Sequence, residues 1–207
     1  VDAKLLNKEE HTIRMRIPID GDISFEDLVY GEINTKCSEL DDFIIARSDG
    51  SPTYNLTVVV DDNDMNISHV IRGEDHISNT PKQMLIYKAL EWTIPKFGHL
   101  PMILGSDGKR LSKRHGAKGT SEYKDLGYLP DTLINYLALL GWNPGNDDEI
   151  FDFNYLKENF SLDKVNKKSA VFDNTKLEWV SSQNIFKISA AKLVDIASEF
   201  DPTWCGE

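Results

Sequence analysis

The sequence contains little cysteine and no long apolar run. Two of its 207 residues are cysteines, Cys37 and Cys205, and their wide spacing predicts neither a disulfide framework nor a zinc site. No apolar run approaches the roughly 18 residues that a membrane-spanning helix needs, and the N-terminal segment lacks the apolar stretch of a signal peptide. These absences exclude disulfide-stapled and membrane-spanning classes, and they predict a protein of the reducing cytoplasm.

The sequence also lacks the excess of positive charge that is typical of nucleic-acid-binding domains. The formal net charge is −11, although basic residues cluster locally at 109–115 and 164–168. Such a patch can bind phosphate groups while the acidic remainder repels nucleic acid elsewhere. Because 40% of the residues are hydrophobic, the chain can bury the core of one large domain or two small ones.

The first 47 residues alternate apolar and polar side chains between turn signals, which predicts a series of short strands. In the first of them, Ile13, Met15 and Ile17 share one face. The strands are expected at 11–19, 23–25, 28–33 and 40–47.

A different pattern begins at Tyr54–Val60, a nearly continuous apolar and β-branched run that is typical of a strand buried on both faces. His69–Gly73 predicts a second strand, and 97–104 predicts a third. Between them, Thr80 predicts a helix N-cap, with Gln83 completing a capping box. Strand, helix and strand in this order predict a βαβ unit. The buried stripe of its helix is expected to contain Leu85, Ile86, Ala89 and Leu90.

From residue 120 onward the pattern is helical. Pro130 predicts the start of a helix that ends at Gly141, and Asp152, Asp173 and Ser189 are predicted to cap three further helices. The apolar face of the helix that begins at Pro130 is expected to contain Leu133, Ile134, Leu137 and Leu140.

The segment Asp107–Gly116 (DGKRLSKRHG) carries the clearest chemical signal. Gly108 permits a tight turn after a strand, and several cations and one hydroxyl follow. Lys113 could serve as a point charge for a polyphosphate, with Ser112 as a hydrogen-bond donor. A short charge run by itself is more often a solvated turn.

The stretch LSKR at 111–114 resembles the KMSKS signature of class I aminoacyl-tRNA synthetases. Longer stretches are similar to the glutamyl branch of that family, and they occur in the family's order and spacing from about residue 11 to about residue 190. They read LDDFIIARSDGSPTYNLTVVVDD, ISHVIRGEDHISNTPKQMLIYKAL, FGHLPMILGSDGKRLSKRHGA, GYLPDTLINYLALLGW and AVFDNTKLEWV.

This resemblance implies that ATP and L-glutamate form a glutamyl-adenylate, from which the glutamyl group is transferred to tRNA. The catalytic loop would be Arg110–Arg114, with Lys113 contacting ATP beside Arg110, Ser112 and Arg114. Arg110 stands where the signature has lysine, so the charge is kept but the hydrogen-bonding geometry differs. The resemblance also implies that the backbone of Met102 and Ile103 contacts adenine.

The resemblance further implies a glutamate pocket formed by Arg72, Tyr54 and Val58. Arginine offers a planar fork that suits a carboxylate. The alternative is a structural Arg72 paired with Glu74 or Asp75. Val58 offers the pocket no side-chain hydrogen bond.

The implied fold is α/β: the second half of a class I Rossmann-type catalytic domain followed by an all-α stem-contact region. Lys164, Lys167 and Lys168 are candidates for tRNA phosphate contacts, or else a solvated helix end. The expected domains are the end of a β-rich acceptor-binding insertion at 1–40, the catalytic half-domain at 41–117, the stem-contact region at 118–186 and the start of a helical anticodon-binding domain at 187–207.

The implied partners are tRNA(Glu), L-glutamate and ATP with Mg²⁺, for a monomer with no metal site of its own in this chain. The family's HIGH signature is absent from the sequence, so the chain is expected to be a central piece that is inactive alone. A glutaminyl-type relative, a glutamyl-queuosine-type tRNA-modifying paralogue and a non-catalytic tRNA- or protein-binding module remain alternatives. The helical pattern from residue 120 onward favours the glutamyl type over the first two.

Replacement of Lys113 by alanine tests the lysine loop. Losing one preorganised charge contact at a transition state costs about 10²–10³ in rate. We therefore expect Lys113→Ala to slow glutamate activation by that order, measured by pyrophosphate exchange with the polypeptide at its full encoded length. A decrease of less than about threefold would contradict the assignment.

Overall fold

The computed structural model describes residues 10–112 and 118–200, and the chain divides into two compact units, Val1–Leu100 and Pro101–Glu207. None of the helices within the described ranges is both long and apolar enough to cross a membrane. The strands are β1 (Ile13–Arg14), β2 (Asp22–Asp27), β3 (Gly31–Lys36), β4 (Ile44–Ala46), β5 (His69–Gly73), β6 (Lys96–Leu100), β7 (Ile103–Leu104) and β8 (Ala170–Val171). The α-helices are α1 (Tyr54–Asp64), α2 (Thr80–Ala89), α3 (Thr120–Asp125), α4 (Pro130–Leu139), α5 (Phe153–Asn159), α6 (Asn174–Phe186) and α7 (Ala190–Phe200).

A four-stranded sheet in the order β3-β2-β6-β5 lies at the centre of the first unit. β5 and β6 are parallel and are connected through α2, while β2 is parallel to β6 and antiparallel to β3. The predicted α/β class and the βαβ unit are therefore confirmed. The carboxyl ends of β2, β5 and β6 lie at one edge of the sheet, which is where ligands bind in open α/β folds. Asp27, Arg72 and His99 lie at or next to these ends.

Helix α2 is buried over almost its whole length, because it packs on both sides. Met84 and Leu85 join the sheet-side core, while Ile86 and Tyr87 pack with α1. Leu85 and Ile86 are buried as predicted, but Ala89 and Leu90 are exposed, so the predicted stripe is wrong at its C-terminal end. A helix between two layers buries more than one stripe.

The segment Tyr54–Val60 was predicted to be a strand, and this prediction is wrong because the segment lies in α1. A short run of β-branched residues fits a buried helix as well as a buried strand, and its periodicity cannot separate them. In α1, Val59 is fully buried against Ile86 and Tyr87. The contact with α2 therefore decides the conformation.

The first 47 residues contain short strands as predicted, but the bounds of these strands differ from the prediction. β1 contains only Ile13–Arg14, and Ile13 is 48% exposed, whereas Ile17 is buried. The strand predicted at 28–33 starts too early, because Val29 and Tyr30 form a turn that places their amides against Asp27. β4 is shorter than the predicted strand at 40–47.

In the second unit, α4 packs against α6 around a core of Tyr136, Leu177 and Val180. The Tyr136 hydroxyl donates to the Asp173 carbonyl at 2.8 Å and accepts from the Asp173 amide at 2.7 Å. Asn135 is also fully buried, and its side chain bonds backbone groups of a neighbouring loop. The predicted apolar face of α4 is confirmed at Leu133 and Leu140, which pack against this core, but it is wrong at Leu137, which is 48% exposed.

The predicted helix boundaries of the second unit are confirmed at several positions. Pro130 is the first residue of α4, although the helix ends at Leu139, just before Gly141. Asp152 and Asp173 accept backbone N–H groups as N-caps, and Ser189 accepts from the amide of Lys192 at 3.4 Å.

Two leucine replacements test the observed packing of the second unit. Leu177 is fully buried, so Leu177→Ala should lower the free energy of unfolding by about 2–5 kcal/mol. Leu137→Ala, at an exposed site, should change it by less than about 0.5 kcal/mol. Urea unfolding monitored by circular dichroism measures both values. Equal losses in the two variants would contradict the observed orientation of α4.

Candidate active site

Arg72 on β5 is the centre of a hydrogen-bond network in the first unit. Its Nε donates to His99 Nε2 at 3.2 Å. Its Nη2 donates to Thr80 Oγ1 at 2.9 Å and to Gln83 Oε1 at 2.9 Å, and lies 3.5 Å from the His76 carbonyl oxygen. The guanidinium carbon lies 5.6 Å from the centroid of the Phe97 ring. None of these contacts requires Nη1.

The partner of His99 on its other side is Asp27, and both side chains are 0% exposed. His99 Nδ1 lies 2.6 Å from Asp27 Oδ2. The other carboxylate oxygen, Oδ1, accepts the amides of Val29 and Tyr30 at 2.9 Å each and that of His99 at 3.3 Å. This carboxylate is therefore hydrogen-bonded on both oxygens although it is buried.

Burial and hydrogen bonding oppose each other at this pair. Burial alone raises the pKa of Asp27, but the bonds from Tyr30, His99 and Val29 together outweigh it, so the pKa lies below its ordinary value. Burial is the largest effect on His99 and lowers its pKa. Asp27 opposes this shift, whereas the nearby Arg72 and His76 add to it. The pair is thus an ionised carboxylate beside a neutral imidazole.

The positive charge of Arg72 has neutral hydrogen-bond acceptors as its direct partners. Burial lowers its pKa, and this shift is partly opposed by the nearby Tyr54, which also hydrogen-bonds the guanidinium, and by Asp62. Within residues 10–112 and 118–200, no carboxylate lies within 4.0 Å of it. The alternative that Arg72 pairs with Glu74 or Asp75 is therefore not observed in these ranges.

The acids next to Arg72 in sequence bond elsewhere. Glu74 accepts a short hydrogen bond from the Tyr30 hydroxyl. Asp75 lies 4.0 Å from the ring of His76. A partly buried cation without a directly paired anion suits a site that takes an anionic group.

Tyr54 and Val58 lie one helical turn apart on α1, so the helix places them on one face. Tyr54 is 48% exposed, and its hydroxyl lies 3.2 Å from His76 Nδ1. Asn55 on the same helix accepts from Gln83 Nε2 at 3.1 Å, which links α1 to the Arg72 network. The structure thus brings Tyr54 and Arg72 to one region of the first unit.

The basic loop lies in the second unit and is described up to residue 112. The predicted residues Lys113 and Arg114 lie outside the described residues. Before them, Gly108 adopts a φ of +73° and Leu104 pairs with Arg110 in an isolated bridge, so the loop doubles back on β7 as the predicted tight turn requires. Arg110 is exposed and Ser112 is half-buried.

The carbonyl oxygens at the predicted adenine positions take part in the backbone structure. The Met102 oxygen accepts from Ala170 at 3.3 Å, and the Ile103 oxygen accepts from Leu111 at 2.8 Å. Ile103 is 36% exposed. Main-chain hydrogen bonds therefore join the basic loop to β7, and the segment before β7 to β8.

Lys164, Lys167 and Lys168 are exposed on the second unit. They flank Val165, which is buried and pairs with Trp142 in an isolated bridge. Within the described ranges, no three acidic, histidine or cysteine side chains are grouped as metal ligands would be.

The sequence did not predict four members of this network: Asp27, Thr80, Gln83 and His99. Thr80 was predicted to be an N-cap, but it is the first residue of α2, and its hydroxyl and the Gln83 amide bond Arg72 instead of forming a capping box. The sequence carried only a weak signal for these residues: they are polar and lie within apolar stretches, so they would need hydrogen-bond partners once buried.

The family model described as "tRNA synthetases class I (E and Q), catalytic domain" matches residues 1–179. The chain is 50% identical over 188 residues to the glutamate–tRNA ligase of Nitrosospira multiformis, covering 91% of this chain and 40% of the relative. It is 49% identical over 185 residues to that of Desulforamulus reducens, covering 89% and 38%. The chain thus spans about 40% of the length of these curated relatives.

Two solved structures share the fold. One is a glutamate tRNA ligase from Elizabethkingia meningosepticum in complex with its amino acid, with a TM-score of 0.80, 33% identity and coverage of 91% of this chain and 41% of that one. The other is glutamate-tRNA synthetase from Elizabethkingia anophelis, with a TM-score of 0.83, 30% identity and coverage of 100% and 46%. The predicted Rossmann-type class I fold is confirmed.

The lowered pKa of His99 predicts a pH dependence of stability. An unfolded histidine takes up a proton below about pH 6.5, whereas the folded His99 resists protonation, so the free energy of unfolding should fall as the pH drops through that region. The stabilisation by Asp27, whose pKa is also lowered, should be lost only at more acidic pH.

Urea unfolding between about pH 5 and 8 measures this slope. His99→Gln should reduce the slope near pH 6.5, because glutamine carries no group that titrates in this range. The same slope in His99→Gln as in the original protein would show that His99 titrates normally.

Proposed function

This chain belongs to the class I tRNA synthetases of the glutamyl and glutaminyl type, and from this premise we propose that it supplies part of an enzyme that ligates L-glutamate to tRNA. The curated relatives that it matches at about 50% identity are named glutamate–tRNA ligases. In the proposed reaction, ATP activates glutamate as glutamyl-adenylate with release of pyrophosphate. The tRNA then accepts the glutamyl group.

The observation that carries this proposal is that Arg72 has no carboxylate among its direct partners in the described ranges. Its Nε and Nη2 are bonded to neutral groups, and no carboxylate within the described ranges pairs with it. The remaining nitrogen, Nη1, can donate to the side-chain carboxylate of a bound glutamate. A charge-assisted bond of this kind is about twice as strong as a neutral one. A glutamine amide carries no charge, so the same site favours glutamate.

Tyr54 and Val58 would form one wall of this pocket from α1. The Tyr54 ring is 48% exposed, and its hydroxyl, which contacts His76 Nδ1 and hydrogen-bonds the Arg72 guanidinium, would mark the edge of the pocket beside Arg72. Val58 contributes apolar surface and no hydrogen bond. The wall would orient the substrate by shape while Arg72 supplies the charge recognition.

The loop Arg110–Arg114 would act on ATP. Lys113, Arg110 and Arg114 carry the positive charge that a leaving pyrophosphate needs, and the Ser112 hydroxyl can donate a hydrogen bond. Met102 and Ile103 would contact adenine through the backbone. Mg²⁺ would enter with ATP as part of the substrate, where it neutralises phosphate charge.

The tRNA would be bound by the helical part of the chain. Lys164, Lys167 and Lys168 are exposed and can contact backbone phosphates. In the proposed domain arrangement, residues 1–40 end an acceptor-binding insertion, 41–117 complete the catalytic domain, 118–186 contact the tRNA stem and 187–207 begin the anticodon-binding domain. We further propose that the enzyme acts as a monomer in the cytoplasm.

Replacement of Arg72 tests the proposal. A hydrogen bond to a charged group is worth about 1.5–3 kcal/mol, so Arg72→Gln should raise the KM for glutamate by about 10–150-fold. Arg72→Lys keeps the positive charge but not the planar guanidinium, so its KM for glutamate should lie between those of the original protein and Arg72→Gln. The preference for glutamate over glutamine should shrink in Arg72→Gln. Charging assays with labelled glutamate and glutamine, run with the polypeptide at its full encoded length, measure these values.

Arg47→Gln is the matched control, because Arg47 is exposed and its Nη1 donates to the nearby Ser51 and Pro52. It should leave the KM for glutamate unchanged. An unchanged KM in Arg72→Gln would exclude Arg72 as the carboxylate-binding residue.

A further inference from the structure

We propose that Asp27 and His99 are positioning residues of the amino-acid site, which set the orientation of the Arg72 guanidinium by fixing the tautomer of a buried histidine. The inference rests on the proposed function, because it concerns how Arg72 is presented to the substrate carboxylate. Neither residue is proposed to touch glutamate.

His99 donates the hydrogen bond that joins it to Asp27. Asp27 Oδ1 accepts three main-chain N–H groups, as an ionised carboxylate does. An ionised carboxylate can only accept, so the 2.6 Å contact at Oδ2 must be donated by His99 Nδ1. Asp27 therefore holds the proton of the ring on Nδ1.

The other ring nitrogen of His99, Nε2, accepts a hydrogen bond from Arg72. In a neutral imidazole with its proton on Nδ1, Nε2 carries a lone pair and accepts. Arg72 Nε can only donate, and it lies 3.2 Å from His99 Nε2. The two requirements agree. Thr80 Oγ1 also lies 3.2 Å from His99 Nε2 and could accept a proton placed there, but Arg72 Nε–H would then lose its acceptor.

The contact with His99 helps to fix one edge of the Arg72 guanidinium, the edge formed by Nε and Nη2. Nε is held by His99, and Nη2 is held by Thr80 Oγ1 and Gln83 Oε1. The amide of Gln83 is itself oriented, because its Nε2 donates to Asn55 Oδ1. With this edge fixed, Nη1 keeps one direction, which is the condition for tight recognition of a carboxylate without reorganisation.

The variant Asp27→Asn inverts the tautomer with almost no change of shape. The asparagine oxygen can still accept the main-chain amides, but its NH₂ group would face His99 Nδ1 and donate to it. The ring proton must then move to Nε2, where Thr80 Oγ1 can accept it but Arg72 Nε–H no longer finds an acceptor. We expect the KM for glutamate to rise about tenfold, while kcat and the KM for ATP change less than about twofold, since a contact made equally in ground and transition states affects KM alone.

Replacing His99 separates the tautomer effect from a loss of packing. A glutamine at 99 can place its oxygen near the position of Nε2 and accept from Arg72, so His99→Gln should raise the KM for glutamate less than about threefold. An asparagine at 99 is too short to reach Arg72, so His99→Asn should raise it about tenfold. This pair remains informative if Asp27→Asn proves unstable.

The double variant Asp27→Asn/His99→Gln gives the sharpest comparison. With glutamine at 99 there is no ring tautomer to invert, so the further change at 27 should have little effect on the KM for glutamate. The double variant should therefore bind glutamate better than Asp27→Asn alone, a rescue that two independent losses of packing would not produce. Asp42→Asn is the control, because Asp42 also accepts a main-chain amide, that of Ile17 at 2.8 Å, outside the network.

The assay is charging with the polypeptide at its full encoded length, with the folded state of each variant checked by circular dichroism. An unchanged KM for glutamate in folded Asp27→Asn, together with a raised KM in Arg72→Gln, would overturn the positioning role and leave the proposed function intact. An unchanged KM in both would remove the proposed role of Arg72. Additive increases in the double variant would show that Asp27 and His99 act through packing alone.

Discussion

The hydrogen bond between Asp27 and His99 is the constraint on which the rest of the first unit depends. It joins the end of β2 to β6 at the carboxyl edge of the sheet, inside a region with 0% exposure of either side chain. Leaving either group unpaired there would cost the desolvation of a buried polar or charged group. The strand order that brings β2 beside β6 is therefore tied to the same contact that prepares Arg72.

The network is polar where a core is ordinarily apolar, and it is surrounded by aromatic groups. Phe25 and Phe97 pack around His99, and the Phe97 ring lies beneath the Arg72 guanidinium. An apolar surrounding strengthens each hydrogen bond and makes an unmatched donor more costly. The surrounding therefore favours the arrangement in which every donor of Asp27, His99 and Arg72 faces an acceptor. Affinity for the substrate carboxylate would then come from a guanidinium that is already held in place.

The sequence allowed the α/β class, the parallel β5 and β6, and the caps at Asp152 and Asp173 to be predicted, because each depends on local patterning. It did not allow α1 to be predicted, since the conformation of Tyr54–Val60 is decided by packing on α2. The same limit applies to the site. Arg72 was recognised through a resemblance, but Asp27 and Gln83 become site residues only through contacts between distant segments. The loop prediction at Lys113 and Arg114 remains a prediction.

The separation of 72 residues between Asp27 and His99 has a consequence for biosynthesis. In a growing chain, Asp27 and Arg72 are both synthesised before residue 99. Until β6 is in place, Arg72 lacks the acceptor for its Nε, and Asp27 lacks the donor for Oδ2. The network around Arg72 thus becomes complete only when the strand that carries His99 lies between β2 and β5. Long-range contacts of this kind form slowly, so a nascent chain would pass through a stage in which the hairpin of β2 and β3 exists before Arg72 is held in place.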